Sequence, residues 1–496
     1  MIAELTPLIY AEIPWLSWSL LILLLGMGFI VLVGKNKARY VALITHLCVL
    51  LFTILVTFKF DPSQPGFQLV EKYQWISSLN INYFFGVDGL SILFLPATAL
   101  LFCMVTLANW NNIQSRPRAY YALMLLLELS IIGVFISLDT ILFVLFWEMT
   151  LIPLYFLLSL WGIGIKRRYA GTKYVLFMLT GGLPIVFAFM LLALQPDGSI
   201  LFDYPELLKV VRDNPYQNLI FFLLLFGFGV KTPLFPMHTW LPVLAQEGHS
   251  GTIAIVAGIK IGAYGLLRFT IPMAPDAALQ YQWLLIALGI IGVIYGAVAA
   301  LGQTNLRRML AFSSISHVGM VVLGIATFSQ AGLQGAILLL LSLILVTGGL
   351  FLLSGFLYNR VGSTEMIQLG GIAQSMPLLT AFFLFFGFAS MAIPGTSAFP
   401  AELLIIISTL DHYAGVGLAS LFGIILGAAY FLEIFRRSFL GPCQNVVIAE
   451  AVDLKLRELI IVFLMSIIIL LVGFYPQSVF NVLEAASQHW VTGLNN

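Results

Sequence analysis

Residues 220–242 read IFFLLLFGFGVKTPLFPMHTWLP, and residues 251–269 read GTIAIVAGIKIGAYGLLRF. Each stretch is long and apolar enough to cross a bilayer as a helix, which takes about 20 residues. Each also contains one lysine, Lys231 in the first and Lys260 in the second. Because a charged side chain in hydrocarbon is costly, an ionisable residue within a membrane span indicates a functional site. The two stretches therefore predict a helical membrane protein with charged groups in its interior.

The composition of the whole chain agrees with a membrane protein. Of its 496 residues, 60% are hydrophobic and 9% are charged, and the mean hydropathy is +1.02. A water-soluble fold could not bury that much apolar surface. The net charge of +1 argues against a nucleic-acid partner. Cys48, Cys103 and Cys443 form no CxxC pair, which argues against disulfides, iron–sulfur ligation and a zinc cluster.

Apolar runs that could span the membrane recur fourteen times along the chain. Closed barrels need short strands of alternating polarity, whereas these runs are apolar on both faces, so the predicted fold is an all-α polytopic bundle. The spans are predicted to begin near Ile13, Tyr40, Asp88, Ala119, Thr140, Tyr169, Asn218, His249, Gln280, Asn305, Gly332, Pro377, Ala414 and Glu458.

Basic residues give the orientation, because lysine and arginine accumulate in cytoplasmic loops. The loops after helices 1, 3, 5, 9, 11 and 13 hold 16 of the 23 lysines and arginines, and the opposite loops hold five. Both termini are therefore expected to face away from the cytoplasm or stroma. An even number of helices is also favoured. One helix more or fewer would move basic loops to the other side of the membrane and remove the difference between the two sides.

Two of the spans contain prolines in similar settings. The first is VKTPLFPMH, with Pro233 and Pro236, and the second is AIPGTSAFPAE, with Pro394 and Pro400. A proline removes an amide donor and clashes with the preceding turn, so helices 7 and 12 are predicted to be discontinuous. Two ordinary proline kinks are the alternative.

Paired broken helices in two halves of a chain are typical of inverted repeats with a polar site at the midplane. Lys231 flanks the first break and Glu402 the second, which favours this interpretation over simple kinks. The predicted organisation is residues 1–118 for helices 1–3, 119–271 for a first five-helix repeat, 272–440 for a second, and 441–496 for helix 14.

Few ionisable residues are predicted to lie inside the apolar spans. A carboxylate beside an ammonium group keeps both charged, whereas separating them pushes the lysine towards neutrality. A series of such sites, bridged by water and histidine, forms a proton relay. A static ion pair between Glu148 and Lys231 that only fixes helix packing is the alternative. The candidates within spans are Glu128, Glu148, Lys231, Lys260, Glu402 and Glu433, and those near helix ends or breaks are His238, Glu247, His249 and His317.

Cofactor motifs are missing from the sequence. Bis-histidine haem would need two axial imidazoles on facing helices, yet of the six histidines only His46 and His317 are predicted within spans, and they show no repeat spacing. The sequence has no GxGxxG after a strand and no GxxxxGK[ST]. No cofactor or metal is therefore expected on this chain.

Several motifs resemble the antiporter-like subunits of respiratory complex I, in the right order over most of the chain. The FWExxLIPLY pattern and Glu402, where chains 2 and 5 usually carry lysine, are most similar to the chain 4 (M or D) type. The RRYAGTKY loop resembles the photosynthetic NAD(P)H dehydrogenase-like complex of cyanobacteria and plastids. The motifs are FGVDGLS (85–91), FWEMTLIPLY (146–155), RRYAGTKY (167–174), VKTPLFPMHTWLP (230–242), AGIKIGAYGLLR (257–268) and LRRMLAFSSISHVGM (306–320).

The resemblance implies a role for individual residues. Glu148 on helix 5 would pair with Lys231 on broken helix 7, Lys260 would be the central relay, and Glu402 would be the terminal site. Supporting positions would be Glu128, His238, Glu247 and His317.

The resemblance also implies a setting for the chain. It would be an integral protein of a cyanobacterial thylakoid membrane with lumenal termini and a part in cyclic electron flow. Quinone and iron–sulfur clusters would lie on partner subunits, and the partners would be lipids and other membrane subunits, including chain-2-like and chain-5-like ones.

Three positions depart from the family pattern. Val243 and Ala245 occupy positions where the family usually has aspartate and histidine, and Leu343 aligns with a frequent histidine on helix 11. These differences suggest an altered proton route and a copy specialised for CO2 uptake, with drift as the alternative.

Three functions follow as hypotheses. The leading one is a proton-translocating, non-redox subunit of a NAD(P)H- or ferredoxin-plastoquinone oxidoreductase. The second is a subunit of a multisubunit sodium/proton antiporter, and the third is a structural membrane spacer.

Overall fold

Helices form nearly every apolar run of the sequence. The structure is a computed structural model that describes residues 7–195, 198–443 and 445–495. The helices are α1 (Trp15–Leu32), α2 (Ala38–Lys59), α3 (Phe94–Ala108), α4 (Pro117–Ile136), α5 (Thr140–Met149), α6 (Leu151–Trp161), α7 (Arg167–Ala193), α8 (Tyr204–Val210), α9 (Gln217–Lys231), α10 (Trp240–Glu247), α11 (Ser250–Gly258), α12 (Ile261–Gly265), α13 (Pro275–Gln280), α14 (Gln282–Leu301), α15 (Leu306–Ala326), α16 (Gln330–Val361), α17 (Ile372–Ser375), α18 (Pro377–Ser390), α19 (Ala398–His412), α20 (Ala414–Phe439), α21 (Val446–Ala449), α22 (Leu456–Phe474) and α23 (Gln477–Asn495).

Eleven helical segments of the described chain are long and apolar enough to cross a membrane. Three further predicted spans correspond to the shorter apolar helices α3, α9 and α18. The polytopic helical bundle is thereby confirmed. The count of fourteen spans and the domain boundaries stay predictions.

The predicted break in helix 7 is present. Helix α9 ends at Lys231, and α10 begins at Trp240. Pro233 and Pro236 lie between the two helices, in backbone that has no amide donor at these positions. The break leaves Lys231 at the carboxyl end of a half-helix inside the bundle.

The predicted break in helix 12 is present as well, with one correction. Helix α18 ends at Ser390 and α19 begins at Ala398, and Pro394 and Gly395 lie between them. Gly395 has a φ of 94°, in the left-handed region that favours glycine. Pro400 lies in the first turn of α19 and not in the break. Amides of the first turn have no acceptor within the helix, so a proline is tolerated there.

Two further spans are interrupted in ways that were not predicted. One break separates α5 from α6 at Thr150, three residues before Pro153. The other separates α11 from α12, and Lys260 lies in it between Gly258 and Gly262. Glycine has a low helix propensity, which makes such a site easy to interrupt. Both buried lysines are therefore associated with interrupted helices.

Helix α15 lies in the interior of the bundle, and nearly all of its residues are buried. It packs closely against α14 at Gly292 and Gly319. A Cβ on Gly292 would lie 3.1 Å from the Gly319 Cα, so glycine permits this close approach. This packing fixes the helix that carries several polar side chains of the candidate site.

A small sheet accompanies the helices. Strand β1 (Leu8–Tyr10) pairs in parallel with β2 (Phe67–Ile76), and β2 pairs antiparallel with β3 (Ile81–Val87). The carboxylate of Glu71 on β2 accepts hydrogen bonds from the amides at the start of α1. The third predicted span therefore begins at Phe94 and not near Asp88, because β3 occupies residues 81–87.

Candidate functional site

Lys231 is buried at the end of α9, with 9% of its surface exposed. Its ammonium donates to the Trp147 carbonyl at 3.2 Å and to the Thr150 hydroxyl at 2.9 Å. It also lies 3.9 Å from the centroid of a Trp147 ring, a cation–π geometry. The break between α5 and α6 thus supplies neutral acceptors to the first buried lysine.

Glu148 does not form the expected contact pair with Lys231 in the described structure. Its half-buried carboxylate packs against Gly182 of α7. Consecutive side chains on a helix point about 100° apart, and Trp147 occupies the side of α5 that faces Lys231. The two charges still interact at longer range. Glu148 and Lys231 are therefore neighbours and not hydrogen-bond partners.

Lys260 is buried in the break between α11 and α12, with 6% of its surface exposed. It donates to the Ala257 carbonyl and, at 2.5 Å, to the Ser314 hydroxyl of α15. Carbonyls at the end of a helix lack intrahelical donors, so the break makes the Ala257 oxygen available. Its hydrogen-bond partners in the described structure are all neutral.

Glu402 and His317 form the polar centre of the second half. Glu402 lies on α19 with 3% of its surface exposed, and its Oε1 is 3.5 Å from His317 Nδ1. His317 Nε2 is 3.0 Å from the hydroxyl of Ser390, the last residue of α18. His317 therefore contacts both sides of the break in helix 12.

Helix α15 connects the two groups of polar residues. Ser314, the partner of Lys260, and His317, the partner of Glu402, are three residues apart and so share a helix face. A cavity of about 10 Å³ is lined in part by His317, Ser390, Glu402 and Tyr430. A cavity of this size holds about one water molecule.

Glu128 is buried on α4, and its partner is a histidine. Its carboxylate pairs with Nδ1 of His46 on α2, and both side chains are fully buried. Glu128 Oε1 and His46 Nε2 are buried without a partner in the described structure. The pairing was not foreseen, because a lone histidine in the apolar run of α2 carries no signal for it.

His238 lies just before α10 and Glu247 is the last residue of α10, so the two are at opposite ends of this helix. His238 Nε2 is 3.2 Å from the Tyr295 hydroxyl of α14, and its Nδ1 is buried without a described partner. Glu247 accepts a hydrogen bond of 2.7 Å from the Lys166 amide. This contact fixes the loop before α7, a structural task that was not predicted for Glu247.

Glu433 lies on α20, one of the helices that are long and apolar enough to span a membrane, so its place within a span stays a prediction. Its side chain is 34% exposed and pairs with Arg436 and Arg437 near the end of the helix. Ala245 and Leu343 are buried and Val243 is partly buried. None of these three side chains can carry a proton.

A second buried ion pair was missed. The Arg268 guanidinium donates to both carboxylate oxygens of Asp88, at 2.8 and 2.5 Å, and to the Tyr264 hydroxyl at 3.1 Å. Both residues belong to motifs that carry the resemblance, FGVDGLS and AGIKIGAYGLLR. Arg268 is one of the five basic residues that the hydropathy pattern places in the opposite loops, since the sequence does not show that the end of this helix is covered.

Comparisons with known proteins give the same family. The family model described as NADH:quinone oxidoreductase/Mrp antiporter, TM, matches residues 137–427. NAD(P)H-quinone oxidoreductase chain 4 1 of Picosynechococcus sp. is 38% identical over 94% of this chain and 90% of its own. NADH-quinone oxidoreductase subunit M of Pseudomonas aeruginosa is 36% identical over 96% of this chain and 97% of its own.

Solved structures share the fold. A chain of respiratory complex I from Thermus thermophilus with bound NADH superposes with a TM-score of 0.86 at 30% identity, covering 96% of this chain and 100% of that one. A chain of the Mrp complex from Dietzia sp. has a TM-score of 0.83 at 20% identity, covering 97% and 99%. The chain is therefore a member of the NADH:quinone oxidoreductase/Mrp antiporter family, an integral membrane, antiporter-like subunit of the complex I chain 4 or M type.

Proposed function

We propose that this chain is a proton-translocating, non-redox subunit of a NAD(P)H- or ferredoxin-plastoquinone oxidoreductase. The observation that carries the proposal is the buried polar series from Lys231 through Lys260 and Ser314 to His317 and Glu402. Buried ionisable groups inside a membrane domain are costly and mark ion pathways. A purely structural membrane spacer would not require buried ionisable groups.

The geometry supports a stepwise transfer in the second half of the chain. The Lys260 ammonium donates to the Ser314 hydroxyl, which can pass a proton on along α15. An imidazole can accept on one nitrogen and release from the other, and the two nitrogens of His317 face Glu402 and Ser390. Ser314 and His317 are about 4.5 Å apart along the helix axis, so a water molecule would bridge them.

The first half supplies a site whose proton affinity depends on Glu148. The Lys231 ammonium has neutral hydrogen-bond partners, and Glu148 acts on it at longer range. Movement of Glu148 towards Lys231 would favour the charged lysine, and movement away would favour proton release. In the proposal, this alternation makes Lys231 take up and release a proton in turn, and the released proton passes to the next site, Lys260.

We assign the redox chemistry to partner subunits. Quinone and iron–sulfur clusters would be held there, and the membrane partners would include chain-2-like and chain-5-like subunits. The related chains named above are subunits of quinone oxidoreductases, which supports a multisubunit complex.

The finer proposal is a CO2-uptake form in a cyanobacterial thylakoid, with lumenal termini. Its support is the loss of protonatable side chains at Val243, Ala245 and Leu343, together with relatives from cyanobacteria. Deletion is expected to impair inorganic-carbon uptake at low CO2 more than cyclic electron flow. The reverse result would assign the chain to the general complex.

The alternative is a subunit of a sodium/proton antiporter, which the shared fold with the Mrp complex keeps open. Position 402 discriminates the two, since antiporter relatives usually carry lysine where this chain has Glu402. Sodium-dependent exchange in vesicles without a quinone reductase partner would favour the antiporter.

The main test uses the assembled complex in sealed vesicles. Lys231→Ala should abolish proton translocation while the complex still assembles, because the first buried ammonium is lost. Lys35→Ala, at an exposed position on the loop after α1, is the matched control and should translocate normally. Unchanged translocation in Lys231→Ala would refute the proposal.

A further inference from the structure

His249 is a buried histidine at the junction of α10 and α11, just before the first turn of α11. It has 7% of its surface exposed, and its Nδ1 is buried without a partner in the described structure. Its ring meets the Tyr120 ring of α4 edge-to-face, with 6.4 Å between the two centroids. Buried polar atoms are nearly always hydrogen-bonded, so an unpaired ring nitrogen requires an explanation.

The junction around His249 is held by segments that are predicted to face the cytoplasm. The Arg307 guanidinium at the start of α15 donates to the Gly248 carbonyl at 2.9 Å. The Gly164 amide in the loop before α7 donates to the Glu247 carbonyl at 3.0 Å. Both segments belong to the set of loops that is rich in basic residues. His249 therefore lies at the end of the bundle where protons are predicted to enter.

The His249 imidazole is neutral in this setting. Burial, and after it the positive charge of Arg307, lower the pKa of His249 to about 4. A neutral imidazole has one nitrogen that can accept a proton and another that can release one. The ring can therefore pass protons on without holding one.

A cavity of about 30 Å³ connects Lys231 with α11. Lys231 and Thr150 line it together with Ile255, Val256 and Ile259 of α11. A cavity of this size has room for about two water molecules. Water in the cavity would therefore reach the Lys231 ammonium from the side of α11.

The face of α11 that lines this cavity continues to His249. Thr252 is three residues before Ile255 and four before Val256, and His249 is three residues before Thr252, so these side chains share one face. The fully buried Thr252 hydroxyl lies beside the Tyr120 hydroxyl without a well-formed hydrogen bond. His249 and Ile255 are about 9 Å apart along the helix. Thr252 therefore supplies a hydroxyl between His249 and the cavity.

Helix α4 forms the opposite wall. Leu127 and Ile131 of α4 line the cavity, and Tyr120 is seven residues before Leu127, about two turns away on the same face. The Asn109 side-chain amide donates to the Tyr120 hydroxyl at 2.6 Å, which fixes the ring beside His249. The polar residues of both helices thus lie between the cytoplasmic end of the bundle and the cavity at Lys231.

We propose that His249 takes up protons from the cytoplasmic side and passes them through the Thr252 hydroxyl and cavity water to Lys231. This inference rests on the proposed function and names the entry residue of the same pathway. One nitrogen of His249 gains a proton while the other releases one, and the final acceptor is the neutral Lys231 amine, which becomes an ammonium. His249 takes the place of the protonatable side chains that are missing at Val243 and Ala245.

The test measures the initial rate of proton uptake by the assembled complex in sealed vesicles, at matched rates of quinone reduction. His249→Phe keeps an aromatic ring against Tyr120 and should lower the rate at least about tenfold, because proton transfer by a positioned side chain is lost. Thr252→Val should lower it about fivefold, because the bridging hydroxyl is lost.

Two variants serve as matched controls and should take up protons normally. Thr98→Val removes another fully buried, unpartnered hydroxyl, on α3 and away from the cavity lining. His412→Phe replaces an exposed histidine at the end of α19.

Chemical rescue separates a proton carrier from a packing residue. Imidazole added on the cytoplasmic side should restore uptake in His249→Ala, whereas pyrrole, a ring of similar size that takes up no proton near neutral pH, should not. The unmodified complex with the same additions corrects for their effect on the vesicles. A loss that imidazole does not restore would assign His249 a structural role and overturn the proposal.

The Lys231→Ala variant separates this inference from the proposed function. If Lys231→Ala is inactive while His249→Phe and Thr252→Val take up protons normally, the entry route alone is wrong. Normal uptake in Lys231→Ala would overturn the proposed function and the entry route with it. If His249→Phe does not assemble, His249→Gln replaces it. The amide can form hydrogen bonds but does not take up a proton, so the same loss is expected and normal uptake counts against the proposal.

Discussion

At the scale of single residues, Ser314 is the link between the two halves of the candidate pathway. Its hydroxyl accepts from the Lys260 ammonium at 2.5 Å. It shares a face of α15 with His317, which contacts Glu402. The sequence motif LRRMLAFSSISHVGM contains both residues, but nothing in it distinguishes Ser314 from its neighbour Ser313.

We expect Ser314→Ala to lower the rate of proton translocation at least about tenfold, because a hydrogen bond to a charged group contributes about 1.5–3 kcal/mol. The measurement is the initial rate of proton uptake in sealed vesicles at matched rates of quinone reduction. Ser130→Ala is the control, because the Ser130 hydroxyl donates only to the Leu126 carbonyl of its own helix. Equal rates in the two variants would exclude Ser314 from the pathway.

At the scale of elements, the interruption between α11 and α12 lies beside a close contact with the end of α9. Gly262 faces Thr232 there, and a Cβ at position 262 would clash with the Thr232 amide and hydroxyl. Lys231 and Lys260 are each next to one side of this contact. The contact therefore couples the positions of the two buried lysines.

Gly262→Ala is expected to lower the free energy of unfolding by about 1–3 kcal/mol, as overpacking usually does. It should also reduce proton translocation, because α12 must move away from α9. Gly28→Ala is the matched control, since a Cβ at Gly28 of α1 meets nothing within 4 Å. Thermal unfolding in detergent and translocation in vesicles would measure the two effects. A Gly262→Ala variant that behaves like Gly28→Ala would contradict the coupling.

Asp139 links strand β3 to α5, and we expect its protonation to make the stability of the fold depend on pH. Asp139 caps α5 through the amides of Ile141 and Leu142, and it also accepts from the Asn82 amide of β3. Burial raises the pKa of Asp139 from 3.8 to about 6. Between these values the folded chain keeps a proton that the unfolded chain releases. Stability therefore falls as the pH rises through this window, by about 3 kcal/mol in total.

Asp139→Asn should remove the fall in stability with rising pH. It should keep most of the helix cap, because asparagine also caps helices. Asp61→Asn is the control, because Asp61 is exposed and hydrogen bonds from Ser63 lower its pKa. The measurement is thermal unfolding in detergent between about pH 4 and pH 7, where the slope of stability against pH reports the difference in bound protons between the folded and unfolded chains. A fall of equal size in the Asp139→Asn variant would show that another group causes it.

The elements that the sequence predicts are those set by local chemistry. Apolar runs and the prolines at 233 and 394 are enough to predict the spans and both breaks. The break at Lys260 lies where α12 packs closely against the end of α9, and the antiparallel pairing of β2 with β3 joins separate segments of the chain. Neither can be inferred from hydropathy.

At the scale of the whole molecule, the candidate residues follow one another across the bundle. Described contacts join Lys260 to α15 and α15 to Glu402 of α19, while Lys231 at the end of α9 bonds to Thr150. In the proposed function these residues form one line. The residue types of this line could be predicted, because ionisable groups stand out in apolar spans. The hydrogen bonds between these residues could not be predicted. In the sequence, Ser314 and Thr150 look like ordinary polar residues, and only the folded structure shows that each accepts from a buried lysine.

A pathway in series makes a quantitative prediction for combined variants. If every proton passes both Lys231 and Glu402, then blocking either residue already stops the flow. Lys231→Ala/Glu402→Gln should therefore lose no more translocation than the more impaired single variant, a strong departure from additivity. Two independent half-channels would instead leave part of the flow in each single variant, and only the double variant would lose it all. Proton uptake per quinone reduced in the four forms of the assembled complex distinguishes these outcomes, and residual flow confined to the single variants would rule out the serial pathway.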